Sequence, residues 1–467
     1  MTLIVETPDT RAPERDYILG VVLGEFLGLP WRRVPADRVD TRITLEGQPG
    51  EIRLPDVLLS TQEPDWLQPA SLPPRPLNQW DTAELGEDIT LVERVIPVIY
   101  GDSAERVTPM PDEVRLPIDI FGSAFFMLTR YEELVVNDRD EHDRFPAWAS
   151  LAYQEGFLER PIVDEYVEIL WAAMQRLWPQ LERKQREPCT FVTCDVDNPY
   201  AAYTKSMAAT VRKMGGDVLK RRSVPEAIRT LRNTLATRRG DYRHDPFDTF
   251  DWMMDVNEAA GNRMAFYFLV DKSVPSMDGH YSIDEPRIRE LIRRIHTRGH
   301  EIGLHGSYGT YRDADQMAKE AERLRQIMDE EGCVQDGVGI RQHYLRWDSA
   351  QTSRHVSAAG FRYDTTLSFA DQAGFRCGTS QSYALFDLLG RHSLSLRERP
   401  LVLMECSVLS ALYGGSEYTA DTLTAMNRYK ELCHRFGGEF VLLWHNSFFQ
   451  HSSDPLFYQD LLDARRA

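Results

Sequence analysis

From Cys189 onward, apolar and polar positions fall into two alternating rhythms. CTFVTCDVD, MAFYFLV, HEIGLH, GVGIRQH, GFRYDTTL, LVLMECSVL and EFVLLWH are short apolar runs that predict buried strands. Between them FDWMMDVNEAAGN, DEPRIRELIRRIHTRG, ADQMAKEAERLRQIMDEEG and DTLTAMNRYKELCHRFGG carry the apolar stripe of amphipathic helices. Gly261, Gly299 and Gly332 fall just past helix ends, and Asp284 stands where an N-cap belongs. Strands alternating with helices imply parallel βα units, and a βα barrel carries its chemistry at the C-terminal ends of its strands. Asp195, Asp197, His305, His343 and His445 all fall at such ends.

Before residue 185 the rhythm is mixed. RDYILGVVLGEFLGL, IDIFGSAFFMLTRYEEL and VDEYVEILWAAMQRLWPQLERK predict helices, and EIRLPDVLLS and ITLVERVIPVIYG predict strands. The charged stretch LERKQREP, closed by Pro188, reads as a boundary. Two domains are expected in a chain of 467 residues: a smaller α/β domain over 1–185 and a (β/α) barrel over 186–467. About fifty residues between Asn198 and Phe250 show no strand pattern, too many for a plain βα loop. Lys205, Arg212, Lys213, Lys220, Arg221, Arg222, Arg229, Arg232, Arg238, Arg239 and Arg243 make that stretch basic. It is expected to be a helical insertion at about 199–249, its charges on a solvated outer face.

Composition narrows the class. Hydrophobic residues make up 42% of the chain, and the formal net charge is -18, which argues against nucleic acid as a partner. No apolar run reaches the roughly 18 residues a spanning helix needs. The N-terminal MTLIVETPDTRAPERDY does not read as a secretory signal, and the six cysteines show no close pairing. A cytoplasmic protein with reduced thiols is expected.

Asp195 and Asp197, two apart in an extended strand, point to one face. Two adjacent carboxylates repel unless one is protonated or a cation lies between them. Alone, such a pair is as readily a turn or an N-cap. His300 and His305 are five apart and face opposite ways, so His305, at the strand end, is the ligand candidate and His300 is expected to be structural. Arg341 can hold an aspartate through charge-assisted hydrogen bonds. Taken together on one predicted face, these groups suggest a site.

In order and spacing, Thr193-x-Asp195-x-Asp197, GHEIGLH ending at His305, Arg341-x-x-Tyr344 and Leu443-Trp444-His445 resemble the polysaccharide deacetylase family, carbohydrate esterase family 4, also called the NodB-homology domain. The resemblance covers about residues 189 to 450, and GHEIG followed by histidine is its most specific piece. GFRYDTTLSF, GFRCGTS and LLWHN are similar to a bacterial branch with an extra N-terminal domain, and FFMLTRYEEL and ERPIVDEYV to that extra domain. The resemblance implies a deformed (β/α) barrel of the NodB-homology type, preceded here by the smaller α/β domain. It implies a hydrolase that removes an acetyl group from an acetylated sugar or glycan precursor with a divalent metal ion, zinc being the expected one. Carried over, Asp195 is the general base, Asp197 and His305 are metal ligands, Arg341 tethers the base and His445 is the general acid. A backbone N–H near Tyr344 is expected to hold the oxyanion, and Asp364 or Glu405 to keep His445 charged.

The chain departs from the family at Gly309, where a second metal histidine is usual. It departs again at His343, where the family's Arg-Pro-Pro-Tyr has proline. One ligand lost and one gained predict a relocated site of Asp197, His305 and His343. The alternatives are a hydrolase of another small amide, such as a formyl group, and an inactive glycan-binding barrel.

Overall fold

The structure, a computed structural model, describes residues 1–86, 88–101, 112–201, 228, 231–232, 234–236, 239–242, 245–409, 419–449 and 454–463. Apart from Arg232 and Arg239, the basic residues of the expected insertion lie outside them. The fold is mixed α/β, and its residues cluster into two compact units. Among the described residues no helix is long and apolar enough to cross a membrane.

The first unit comprises Met1–Thr190, Tyr344–Leu403 and Arg428–Val441. Its N-terminal part holds strands β1 (Leu3–Thr7), β2 (Trp31–Pro35), β3 (Asp40–Leu45), β4 (Glu51–Pro55), β5 (Asn78–Asp81), β6 (Val95–Val98) and β7 (Glu113–Arg115). Five form a sheet in the order β2-β1-β3-β4-β7, and β5 pairs with β6. In β1, β3 and β4, buried and half-buried positions alternate, and the register sets Val5, Ile43 and Ile52 side by side on the buried face. The helix predicted over RDYILGVVLGEFLGL forms as Ala12–Leu19 and continues as a π-helical stretch, Gly20–Phe26. Of ITLVERVIPVIYG only β6 is strand.

The second unit comprises Phe191–His343, Met404–Asn427 and Leu442–Ala467. Strands β8 (Cys189–Val196), β9 (Met264–Phe268), β10 (Glu301–Gly306) and β11 (Gly339–Gln342) lie side by side in chain order, each parallel to the next. Every residue of β9 is buried, which is why MAFYF is apolar throughout and does not alternate. The helix Pro286–Thr297 shows the matching pattern: Ile288, Leu291, Ile292 and Ile295 are buried and its arginines lie outside that stripe. Its N-cap is Glu285 without a side-chain cap bond; Asp284 is engaged by Arg289 at 2.7 Å, which corrects the expected cap.

Later strands are β12 (Tyr363–Asp364), β13 (Tyr383–Asp387), β14 (His392–Glu398), β15 (Leu403–Met404) and β16 (Glu439–Leu443). GFRYDTTL thus contributes two strand residues, and β13 and β14 arise where no strand was expected. LVLMECSVL holds the two residues of β15 and then a helix, Glu405–Leu409. A short apolar run does not by itself separate strand from buried helix.

Behind β10, the helix Ala314–Glu330 starts at Asp313, whose side chain accepts from the Gln316 N–H at 3.0 Å. Glu320 on this helix is buried and accepts from the Ser307 N–H at 3.0 Å, the Ser307 hydroxyl and Gln316 Nε2 at 2.8 Å. Burial outweighs these bonds and pushes its carboxyl up from 4.5 to about 7. A carboxyl raised on folding adds stability that is complete below its unfolded value and is lost as pH rises through its folded value. Between about pH 4.5 and 7 this group should therefore contribute a loss of roughly 3 kcal/mol. Glu320→Gln should flatten that part of the stability–pH curve in denaturant titrations. An unchanged slope would show that Glu320 does not cause it.

Candidate active site

The β8 strand sends Thr193 and Asp195 to one face at a spacing of two, and Asp197 follows one residue past its end. Thr193 and Asp195 are buried. Arg341, fully buried on β11, donates from Nη1 to Thr193 Oγ1 at 2.7 Å and to Asp195 Oδ1 at 3.0 Å. Its guanidinium carbon lies 5.1 Å from the centre of the Tyr267 ring. Arginine and aspartate are thus locked in a charge-assisted pair that fixes the carboxylate's direction.

His305, buried near the end of β10, donates from Nδ1 to the Arg341 carbonyl at 2.9 Å. A carbonyl can only accept, so the proton sits on Nδ1 and Nε2 carries the lone pair. That Nε2 lies 3.2 Å from Asp197 Oδ1 and 3.8 Å from Asp195 Oδ2. His343 follows β11 and repeats the arrangement. Its Nδ1 meets Asp278 Oδ1 at 3.0 Å, and its Nε2 lies 3.5 Å from Asp197 Oδ1. The rings of His305 and His343 are 4.8 Å apart. Burial alone would raise the Asp197 carboxyl, but the imidazoles of His343, His305 and His445 hold it well below the usual carboxylate range. For His305, burial works against the charged ring, yet Asp195 and Asp197 raise its pKa overall.

His445, just beyond β16, is held by Glu405. The buried Glu405 Oε1 meets His445 Nδ1 at 2.5 Å and accepts from its backbone N–H at 3.1 Å. Burial opposes the imidazolium, but the Glu405 charge prevails and raises the histidine well above its ordinary value. His445 Nε2 points toward Asp197 Oδ2, 3.6 Å away. Of the two carboxylates considered for His445, Glu405 is thus the one in contact. Asp364 accepts from the Thr366 N–H and hydroxyl, at 2.7 and 3.0 Å.

The donor set fits a divalent ion. Asp197 Oδ1 is shielded from solvent and has no hydrogen-bond partner among the described residues. The ligand atoms offered by Asp197, His305 and His343 all lie within 4.8 Å of one another. The two nitrogen–oxygen separations of 3.2 and 3.5 Å bracket the ~3.4 Å edge of a tetrahedron with bonds of roughly 2.1 Å. Lone pairs that converge in this way repel, and a shared proton or a cation relieves the repulsion. One carboxylate and two imidazoles are a zinc-type set that leaves a position open.

Gly309 contributes backbone only. Its N–H donates to Ser273 Oγ at 2.7 Å, and a Cβ added there would approach that oxygen to 3.1 Å. Asp313 is occupied as the helix cap. His300 accepts from the Met264 N–H at 3.1 Å and faces Glu258, as its place at the strand start suggested. Tyr344 belongs to the first unit. It has a left-handed backbone (φ 62°), its carbonyl accepts from Arg144 Nη1 at 3.0 Å, and its ring lies 4.6 Å from that of His142.

Two contributors were given no role from sequence. Thr193 was named only as part of the motif, although it shares the Asp195 face of the strand. Asp278, in VPSMDGHYS, sits on a loop where no periodicity points to it.

A family of unknown function, DUF7033, matches residues 3–179. No curated protein matches the chain. Among solved structures, the chain is similar to a protein described as a polysaccharide deacetylase from Mycobacterium smegmatis, with 18% identity, a TM-score of 0.37, and coverage of 60% of this chain and 84% of that one. A chitin deacetylase from the fungal pathogen Colletotrichum lindemuthianum is similar at 12% identity and TM-score 0.30, covering 60% and 81%. A third, from Bordetella bronchiseptica, is described as a polysaccharide deacetylase involved in O-antigen biosynthesis; it has 14% identity and a TM-score of 0.27, and covers 60% and 90%.

Proposed function

We propose that the chain is a metal-dependent hydrolase that removes an acetyl group from an acetylated sugar or glycan precursor, with a deformed barrel holding its site. Asp197, His305 and His343 would hold the ion, zinc by the softness of two imidazoles. When bound, such an ion polarises an acyl oxygen and acidifies water. The remaining roles fall to the chain. Asp195, aimed by Arg341 and Thr193, takes the proton from the attacking water. His445, kept cationic by Glu405, gives a proton to the departing sugar nitrogen or oxygen.

One observation carries this reading: two proton carriers with opposite settings flank the same carboxylate. Asp195 is paired to the Arg341 guanidinium, and His445 to the Glu405 carboxylate, which favours its acidic form. The test is acetate release by the purified zinc-loaded chain from a panel of N- and O-acetylated sugars. Chelation should stop release and zinc should restore it. No acetate from any member would refute the acetyl assignment, and formate from formylated sugars would support the formyl reading.

A further inference from the structure

Asp278 lies on the loop between β9 and the helix Pro286–Thr297, far in sequence from every residue of the site, yet its carboxylate is buried among four donors. Oδ1 accepts from His343 Nδ1 at 3.0 Å and from the Tyr308 N–H at 2.8 Å. Oδ2 accepts from the Val274 N–H at 2.8 Å and the Ser273 hydroxyl at 3.3 Å. Ser273 Oγ in turn accepts from the Gly309 N–H. One carboxylate therefore ties together its own loop, the segment after β10 and the residue after β11. The loop reaches this position because the next residue is Gly279: a Cβ there would come within 2.3 Å of the Asp197 carbonyl oxygen.

We propose that Asp278 is the positioning residue for the metal ligand His343, an inference that rests on the metal-site reading above. An ionised carboxylate offers only acceptors, so it fixes the His343 proton on Nδ1 and leaves Nε2 to face Asp197 Oδ1 with its lone pair. The same carboxylate anchors the backbone at Tyr308, next to Gly309, so the loop that crowds position 309 also orients the histidine that stands in for a ligand there. Asparagine at 278 could satisfy Nδ1 with an N–H, which would move the imidazole proton to Nε2, the wrong tautomer for ligation.

The test uses the full chain and zinc alone. In chelator competition, Asp278→Asn should weaken zinc binding by about 10- to 100-fold while the far-ultraviolet circular dichroism of the metal-free protein stays the same. Nitrogen NMR of the ¹⁵N-histidine-labelled, zinc-loaded wild-type chain should show the His343 proton on Nδ1. This second readout decides the matter even where the variant does not fold. Wild-type affinity in a folded Asp278→Asn protein, or an unprotonated Nδ1 in the loaded wild type, would overturn the role of Asp278 and leave the metal site standing. A wild-type chain that binds no zinc would overturn the metal reading itself.

Discussion

Asp195→Asn is expected to lower acetate release by about 10²- to 10⁴-fold, the usual worth of a positioned proton acceptor, while zinc stays bound. The amide keeps an oxygen for Arg341 Nη1, which also bonds Thr193 Oγ1, so the local scaffold persists. What disappears is basicity. The change also leaves the buried Arg341 charge uncompensated, and breaking such pairs costs roughly 3–5 kcal/mol. Turnover must therefore be measured well below the variant's melting temperature. His445→Ala should lose activity comparably, also with zinc retained. Glu405→Gln separates the acid's charge from its presence. Without the anion at Nδ1 the imidazole's pKa falls, and the catalytically acidic form is lost at lower pH. The alkaline limb of the kcat profile should accordingly shift downward in pH, with milder loss on the acid side. Near-normal turnover in Asp195→Asn or His445→Ala would end their assignment as base and acid, and an unmoved alkaline limb in Glu405→Gln would detach Glu405 from the acid.

The parts of this site that were legible in sequence share a physical cause. In parallel βα units, each strand runs from buried apolar residues into polar ones at its C-terminal end. Asp195, Asp197, His305, Arg341 and His445 are visible because each breaks an apolar run at such an end. His343 also stood at such an end, but its reading as a metal ligand needed the family pattern, in which a proline is expected there. Glu405 and Asp364 could not be separated, because Asp364 ends and Glu405 follows a two-residue strand whose direction no periodicity fixes. Asp278 was out of reach: a loop aspartate followed by glycine reads as a turn, and only three-dimensional proximity brings its carboxylate to a histidine 65 residues away. The same holds for the crowding at Gly309, which depends on Ser273 from that loop.

His343→Ala is expected to lose zinc about as completely as His305→Ala. The two rings are nearly equivalent in the structure. Each has Nδ1 committed to a fixed acceptor, a carbonyl for His305 and a carboxylate for His343, and each presents Nε2 to the same oxygen of Asp197, at 3.2 and 3.5 Å. Removing either leaves one imidazole and one carboxylate, fewer than the three protein ligands zinc sites normally hold. Neither candidate near position 309 replaces His343: Gly309 has no side chain, and Asp313 is bonded to its own helix. A second candidate ligand group, Glu405, Cys406 and His445, shares no residue with this one, and its Glu405 Oε1 is engaged by His445 and by Cys406 Sγ at 3.5 Å. Metal content after dialysis against a weak chelator reads the outcome directly. Full zinc occupancy in His343→Ala, beside loss in His305→Ala, would mean that His343 does not ligate the metal and that the ligand missing at position 309 was never replaced there.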